Sequence, residues 1–270
     1  MKKILLLLLI PWPIRAMEQD GISKKKNISK LEQENILREN LKNFLRTAEK
    51  NLGVDPHWLA YNNEIEEAAR TDERGLIEIS THITDEDRLK YQICHELGHS
   101  KDGTFYKKML AMGAYYPSCI IVPSLLLYGI QHIVPTNRDI IGASYAGLAM
   151  SGIFGSLFFH NTINHMVNRH LEKRADLIGI EYLVNAHDYA PISKTLIGLQ
   201  QSKLLGAQHD IDHPAPSDIY DYLTGFLRKN KIDVQSEFQR NTDNTLNGSL
   251  ALIKDGQTVS QIKWLWKPKC

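Results

Sequence analysis

His95-Glu96-Leu97-Gly98-His99 is the stretch of sequence from which the fold can be inferred. Acidic residues 85–87 favour the start of a helix about ten residues before this motif. Leu89 and Ile93 are four residues apart, which is a helical spacing that leads into the motif. On that helix both imidazoles lie on one face and can bind a single metal ion. Glu96 lies beside the first imidazole, where a carboxylate can take a proton from water at the ion. The pattern predicts a catalytic zinc site, with a chance match on a surface helix as the alternative.

Two carboxylates spaced for one helix face follow further along the chain. Glu172 and Asp176 lie in a stretch whose helical pattern continues through Val184. One can bind the metal while the other accepts the N–H of a metal-binding imidazole and fixes its tautomer. The alternative is a solvated acidic face that pairs with Lys173 and Arg174. Together with the histidine pair, these carboxylates favour one zinc ion per chain, with an open coordination position.

Both motifs together resemble a known family. The histidine motif at 95–99, followed by Glu172, Ala175 and Asp176, is similar to the membrane zinc metallopeptidases that include the CAAX prenyl endopeptidases and the bacterial heat-shock protease HtpX. The resemblance covers residues 59–222. It implies a gluzincin domain in which His95, His99 and Glu172 bind zinc, Glu96 is the general base, and Asp176 orients a ligand histidine.

The resemblance extends to a His-Pro pair after the second helix. His213-Pro214 fits this element, which implies that His213 hydrogen-bonds the oxygen on which negative charge develops during hydrolysis, with an ordinary loop histidine as the alternative. The family usually has an arginine shortly after it, where this chain has Ile219. The role of that arginine is therefore in question here.

A short strand pair precedes the zinc helix in the family, and this chain has a similar segment. Ala68, Ala69 and Arg70 are expected to form an edge strand, and residues 75–80 the strand that leads into the helix. A polypeptide substrate is expected to lie along that edge as an added strand, since main-chain pairing tolerates many sequences.

Two long apolar segments separate the halves of the predicted zinc site. Residues 111–134 and 140–159 are almost free of charge. Each is long enough to cross a hydrocarbon core of about 30 Å at about 1.5 Å per helical residue. We therefore predict a transmembrane helical hairpin over residues 111–160, with the lipid bilayer as a partner. A pair of buried core helices is the alternative.

The N-terminus has the layout of a secretory signal peptide. A basic start precedes the apolar run 4–10, and cleavage is predicted after residue 16. Residues 17–110 and 161–270 would then form the two halves of the peptidase domain. We expect the domain on the exported side of a bacterial inner membrane, although basic residues flanking the hairpin favour the cytoplasmic side.

Composition agrees with a folded chain and not with a disordered one. The formal net charge is +1, so no nucleic-acid partner is expected, and the three cysteines lack the spacing of a thiolate metal site. The expected fold class is mostly α with a small β-sheet (α+β), a zincin-type domain interrupted by the hairpin. The predicted function is zinc-dependent cleavage of membrane-associated or exported proteins. An inactive membrane-anchored zinc-binding scaffold and a soluble secreted zinc hydrolase are the alternatives, and the oligomeric state is not predicted.

Overall fold

The computed structural model describes residues 29–64, 69–72, 75–104, 106–107, 110, 124–125, 128, 162, 164–204, 213–240 and 245–266. The main helices are α1 (Lys30–Leu52), α2 (Glu86–Asp102), α3 (residues 164–185), α4 (Ala190–Leu204) and α5 (Pro216–Lys229). The strands are β1 (Trp58–Asn62), β2 (Ala69–Thr71), β3 (Leu76–Ser80), β4 (Ile232–Arg240), β5 (Leu246–Lys254) and β6 (Gln257–Trp266).

The first helix covers one side of the core. Ser29 caps α1 by accepting a hydrogen bond from the Glu32 N–H, and Gly53 ends the helix at a φ of 66°. Leu41 and Leu45 lie on one face of α1 and are fully buried. Because α1 contacts α2, this face supports the helix that carries the histidine motif.

The first sheet places an edge strand beside α2. Its order is β1-β3-β2, with β3 parallel to β1 and antiparallel to β2. Ile77 and Ile79 point into the core and are fully buried, as the two-residue period of a strand requires. Both β2 and β3 contact α2, so the sheet edge formed by β2 lies next to that helix.

The zinc-motif helix is capped at both ends. Asp85 accepts a hydrogen bond from the Arg88 N–H at 3.2 Å, and Gly103 ends α2 in the left-handed conformation with a φ of 64°. Leu89 and Ile93 are almost or completely buried, which anchors one face of the helix in the core. The histidine-bearing face is therefore held in a fixed orientation.

Helix α3 crosses α2 where there is no room for side chains. A Cβ atom on Gly98 would lie 2.4 Å from the Ala175 carbonyl oxygen, and one on Gly179 would lie 3.1 Å from the Cys94 carbonyl oxygen. Glycine at both positions allows this close approach. The crossing lies within the histidine motif of α2 and beside the acidic pair of α3.

The second sheet was not predicted. Strands β4, β5 and β6 form an antiparallel meander, with Asp255 and Gly256 at positive φ in the turn between β5 and β6. Leu250 and Leu252 are fully buried, and the sheet packs on α4. The described chain thus has two small sheets where the sequence analysis expected one.

The predicted fold class is wrong in one respect and is corrected to a mostly helical domain with two small sheets. Among the described residues, no helix is both long and apolar enough to cross a membrane. Helix α1 has 23 residues, which is enough in length, but it carries charged residues along its surface. The hairpin predicted at 111–160 lies outside the described residues except at 124–125 and 128, and the signal peptide at 1–16 lies wholly outside them.

Candidate metal centre

Three side chains with metal-ligand chemistry meet where α2 and α3 cross. His95, His99 and Glu172 each offer one atom, and these atoms lie within 4.8 Å of one another. The two imidazole Nε2 atoms are 3.1 Å apart. Glu172 Oε2 is 3.2 Å from Nε2 of His95, and Oε1 is 3.5 Å from Nε2 of His99. Their side chains are 14–18% exposed, so the cluster is shielded yet open to a ligand.

The other carboxylate of α3 lies behind the first histidine. Asp176 Oδ1 is 2.8 Å from His95 Nδ1 and accepts a hydrogen bond from the Tyr91 hydroxyl at 2.7 Å. The Tyr222 hydroxyl, on α5, donates to Oδ2 of the same carboxylate. The two carboxylates therefore have separate positions: Glu172 faces both Nε2 atoms, and Asp176 contacts the opposite nitrogen of His95.

The second histidine has a neutral partner instead. His99 Nδ1 is 3.2 Å from Thr104 Oγ1. Thr104 follows Gly103, whose left-handed conformation ends α2 and redirects the chain. Both imidazoles thus direct Nε2 towards the cluster, and both have a polar partner at Nδ1.

The electrostatics of the cluster favour a cation. Burial lowers the pKa of His95, but the Asp176 and Glu172 carboxylates outweigh it and hold that pKa well above its usual range. Burial raises the pKa of Glu172, but hydrogen bonds from His213, His95 and His99 outweigh it and hold that pKa well below its usual range. Negative charge is thus concentrated where the two Nε2 atoms meet.

The two predicted catalytic side chains lie at the cluster. Glu96 is buried, at 8% exposure, and is adjacent to His95 in α2. His213 comes from the segment before α5, and its Nδ1 is 3.5 Å from Glu172 Oε2. Its side chain is 53% exposed, so His213 borders the cluster on the solvent side.

The remaining predicted positions lie on the first sheet and on α5. Ala69 and Arg70 belong to edge strand β2, whereas Ala68 lies outside the described residues. Arg70 Nε is 2.5 Å from Glu78 Oε2 on β3, so its charge is paired within the sheet. Ile219, where the resemblance implied an arginine, packs on the hydrophobic core from α5.

Three polar side chains at the site were not predicted: Tyr91, Thr104 and Tyr222. Tyr91 lies one helical turn before His95, so the spacing of α2 contained a usable signal. Thr104 reaches the site through the turn at Gly103, and Tyr222 through the packing of α5 on α3. Local sequence patterns contain no signal for such contacts.

The donor set fits a zinc ion. Two imidazole nitrogens and one carboxylate, with a fourth position open, are typical of catalytic zinc sites. Two imidazole lone pairs do not face each other at 3.1 Å unless a proton or a cation lies between them. The contact at each Nδ1 leaves Nε2 as the ligand atom, so His95, His99 and Glu172 could hold a metal ion.

Comparison with protein families leads to the same chemistry. Residues 73–237, more than half of the 270 residues, match the family model for Peptidase family M48. No curated protein and no solved structure matches the chain. The family match confirms the resemblance to zinc metallopeptidases of the HtpX and CAAX protease type. The chain therefore belongs to peptidase family M48 and is a metallopeptidase.

Proposed function

We propose that this chain is a zinc-dependent endopeptidase in which His95, His99 and Glu172 hold one zinc ion. The observation that carries the proposal is the convergence of these three side chains within 4.8 Å, with buried Glu96 next to the first of them. A zinc ion held there supplies Lewis acidity towards a peptide carbonyl and lowers the pKa of water towards about 7. Family membership supports peptide hydrolysis as the reaction.

Glu96 is the proposed general base. Its carboxylate takes a proton from the attacking water and then delivers the proton to the amine that leaves, so one group serves both halves of the reaction. Its burial keeps the transferred proton away from bulk solvent. Fixed in α2 beside His95, the carboxylate needs no rearrangement of the helix to act.

Two further side chains act around the reacting bond in this proposal. Asp176 holds the Nδ1–H tautomer of His95, which leaves Nε2 free as a ligand atom. His213 is placed on the exposed side of the cluster and donates a hydrogen bond to the carbonyl oxygen as negative charge develops there.

The edge strand β2 supports an extended polypeptide as the substrate. β2 pairs with β3 on one side and contacts α2, so an added strand would run close to the metal centre. Main-chain hydrogen bonds along Ala69 and Arg70 would bind many sequences. A peptide laid along a sheet edge can continue at both ends, which favours endopeptidase activity.

Exported polypeptides are the proposed natural substrates. This part of the proposal depends on the signal peptide predicted at residues 1–16, which lies outside the described residues. The alternative of an inactive zinc-binding scaffold depends on one departure from the family pattern, Ile219 at the position of an arginine. The presence of Glu96 and of the three ligand side chains favours an active enzyme.

The substitution Glu96→Gln tests the proposal. We expect it to abolish hydrolysis of an unfolded protein such as casein while the purified chain still binds one equivalent of zinc. Glu181→Gln, at an exposed glutamate of α3, is the matched control and should leave both properties unchanged. Hydrolysis at the wild-type rate by a clean Glu96→Gln preparation would falsify the role of Glu96. If the wild-type protein binds zinc but does not hydrolyse peptides, the alternative function of an inactive zinc-binding scaffold is supported.

A further inference from the structure

We propose that Thr104 is a positioning residue, whose hydroxyl accepts the Nδ1–H of His99 and so orients the ring with Nε2 towards the metal. The inference rests on the proposed zinc site and concerns a residue outside both metal-binding motifs. The motif resemblance gave Thr104 no role. It acts through His99 and does not itself contact the metal or the substrate.

An imidazole that binds a metal through Nε2 must carry its hydrogen on Nδ1, because a neutral ring has one N–H donor and one lone pair. That partly buried N–H needs an acceptor, because an unpaired polar hydrogen is costly away from water. Thr104 Oγ1, at 3.2 Å from His99 Nδ1, is placed to accept it.

The end of α2 brings this hydroxyl back to the histidine. In an uninterrupted helix, a residue five positions beyond His99 would lie about 140° round the axis from it. Gly103 prevents that arrangement, since its φ of 64° ends α2 and its N–H bonds to the carbonyl oxygens of His99 and Ser100. The chain then starts a new turn, with Lys107 N–H bonded to Gly103 O, and Thr104 faces His99.

The two histidines consequently have unequal support. His95 Nδ1 contacts the Asp176 carboxylate, which also accepts hydrogen bonds from two tyrosine hydroxyls. His99 Nδ1 instead contacts the neutral hydroxyl of Thr104. A carboxylate raises the basicity of a ligand imidazole, and a hydroxyl only orients it. Thr104 therefore fixes the direction of His99 without adding negative charge to the three carboxylates already present, Glu96, Glu172 and Asp176.

Two substitutions of different chemistry test the role. Thr104→Val keeps the shape and removes the acceptor, whereas Thr104→Ser keeps the acceptor and removes a methyl group. We expect Thr104→Val to bind zinc about 10- to 100-fold more weakly than wild type, the usual loss for a partner of a metal-binding histidine. Thr104→Ser should stay within about threefold of wild type, since it retains the hydroxyl.

Zinc affinity is measured on the full chain by competition with a chelator. Thr47→Val is the matched control, because the Thr47 hydroxyl bonds only locally to Asn43 O on α1. If Thr104→Val does not fold, Thr104→Ala removes the same acceptor with less bulk and replaces it.

The outcomes separate this inference from the proposed function. Tight zinc binding by wild type and equally tight binding by Thr104→Val would overturn the role of Thr104 and leave the zinc site intact. Equal losses in Thr104→Val and Thr104→Ser would also overturn it, since packing and not the hydroxyl would then matter. Wild-type protein that binds no zinc would overturn the proposed function and this inference together.

Discussion

Gly98 of α2 is in backbone contact with Ala175 of α3: a Cβ atom on Gly98 would lie 2.4 Å from the Ala175 carbonyl oxygen. Real Cβ atoms do not approach a carbonyl oxygen so closely, so the two helices keep this spacing only with glycine at position 98. Ala175 is flanked on α3 by Glu172 and Asp176. The contact therefore sets the distance from both carboxylates to the histidines of α2.

Substituting Gly98 should separate the helices and weaken the site. We expect Gly98→Ala to lower the free energy of unfolding by about 1–3 kcal/mol, the usual cost of overpacking, and to weaken zinc binding at least about tenfold. Gly225→Ala on α5 is the control, since a Cβ there meets nothing within 4 Å. That change should be neutral or stabilise by up to about 1 kcal/mol. Urea unfolding and zinc competition measure both effects, and equal behaviour of the two variants would contradict the prediction.

A tyrosine from α5 should contribute to zinc binding through Asp176. Burial, and then the Asp176 carboxylate, raise the pKa of Tyr222 far above its usual range, so its hydroxyl stays a protonated donor. We expect Tyr222→Phe to weaken zinc binding severalfold and to lower the free energy of unfolding by about 1.5 kcal/mol, the scale of a hydrogen bond to a charged group. Tyr220→Phe, on the same helix and with its hydroxyl 3.5 Å from Ser236 Oγ, is the control. If Tyr222→Phe binds zinc as tightly as wild type, Tyr222 does not contribute to zinc binding through Asp176.

The parts of the site that share a helix were predictable from the sequence. His95 and His99 on α2, and Glu172 and Asp176 on α3, are each four residues apart, and helical geometry places each pair on one face. Their spacing alone left open which carboxylate faces the metal, and only the family resemblance assigned Glu172 to it. The crossing at Gly98 decides this, because it turns Glu172 towards the two Nε2 atoms.

The second sheet depends on packing between segments that local sequence patterns do not connect. Gly248 lies within β5, where a Cβ would be 2.9 Å from both the Phe238 and Trp264 side chains. The two rings pack over the glycine with centroids 5.6 Å apart. This packing joins three strands and depends on contacts between separate segments, so the local composition near residue 248 did not reveal it. The transmembrane hairpin was predicted from length and low charge alone, and the helices in the described ranges do not provide it.

Zinc should stabilise the fold through the same three side chains. A ligand that binds only the native state stabilises it by about 4 kcal/mol at a free concentration of a thousand times its dissociation constant. We expect wild-type protein to gain stability of this size on zinc addition and to lose it with excess chelator. His99→Ala should show little of the gain at the same zinc concentration, whereas His82→Ala, at an exposed histidine outside the cluster, should respond as wild type does. Urea unfolding with and without zinc gives the comparison, and a full gain in His99→Ala would contradict it.

An ion pair between α4 and the start of α2 should make stability depend on pH. Lys194 Nζ is 2.9 Å and 2.7 Å from the two oxygens of Asp85, the N-cap of α2, and 3.3 Å from Asp87 Oδ2. Burial lowers the pKa of Lys194, but Asp85 and Asp87 outweigh it and raise that pKa above its usual value. Because folding raises its pKa, the charged Lys194 stabilises the native state. This contribution is complete below the unfolded-state pKa of about 10.4 and is lost as pH rises through the folded-state pKa.

Replacing Lys194 tests the sign of the ion pair's contribution to stability and the pH range over which that contribution is lost. Lys194→Met should be less stable than wild type at pH 7 by no more than about 1 kcal/mol, because the side chain is 35% exposed and solvent screens the pair. The difference should shrink above about pH 10.4, where Lys194 of the unfolded chain begins to lose its charge while the native lysine still holds it. Lys42→Met, at an exposed position of α1, should change stability little at either pH. Urea unfolding at pH 7 and pH 11 measures the three proteins, and a Lys194→Met deficit that stays constant between them would show that lost packing, not lost charge, is its cause.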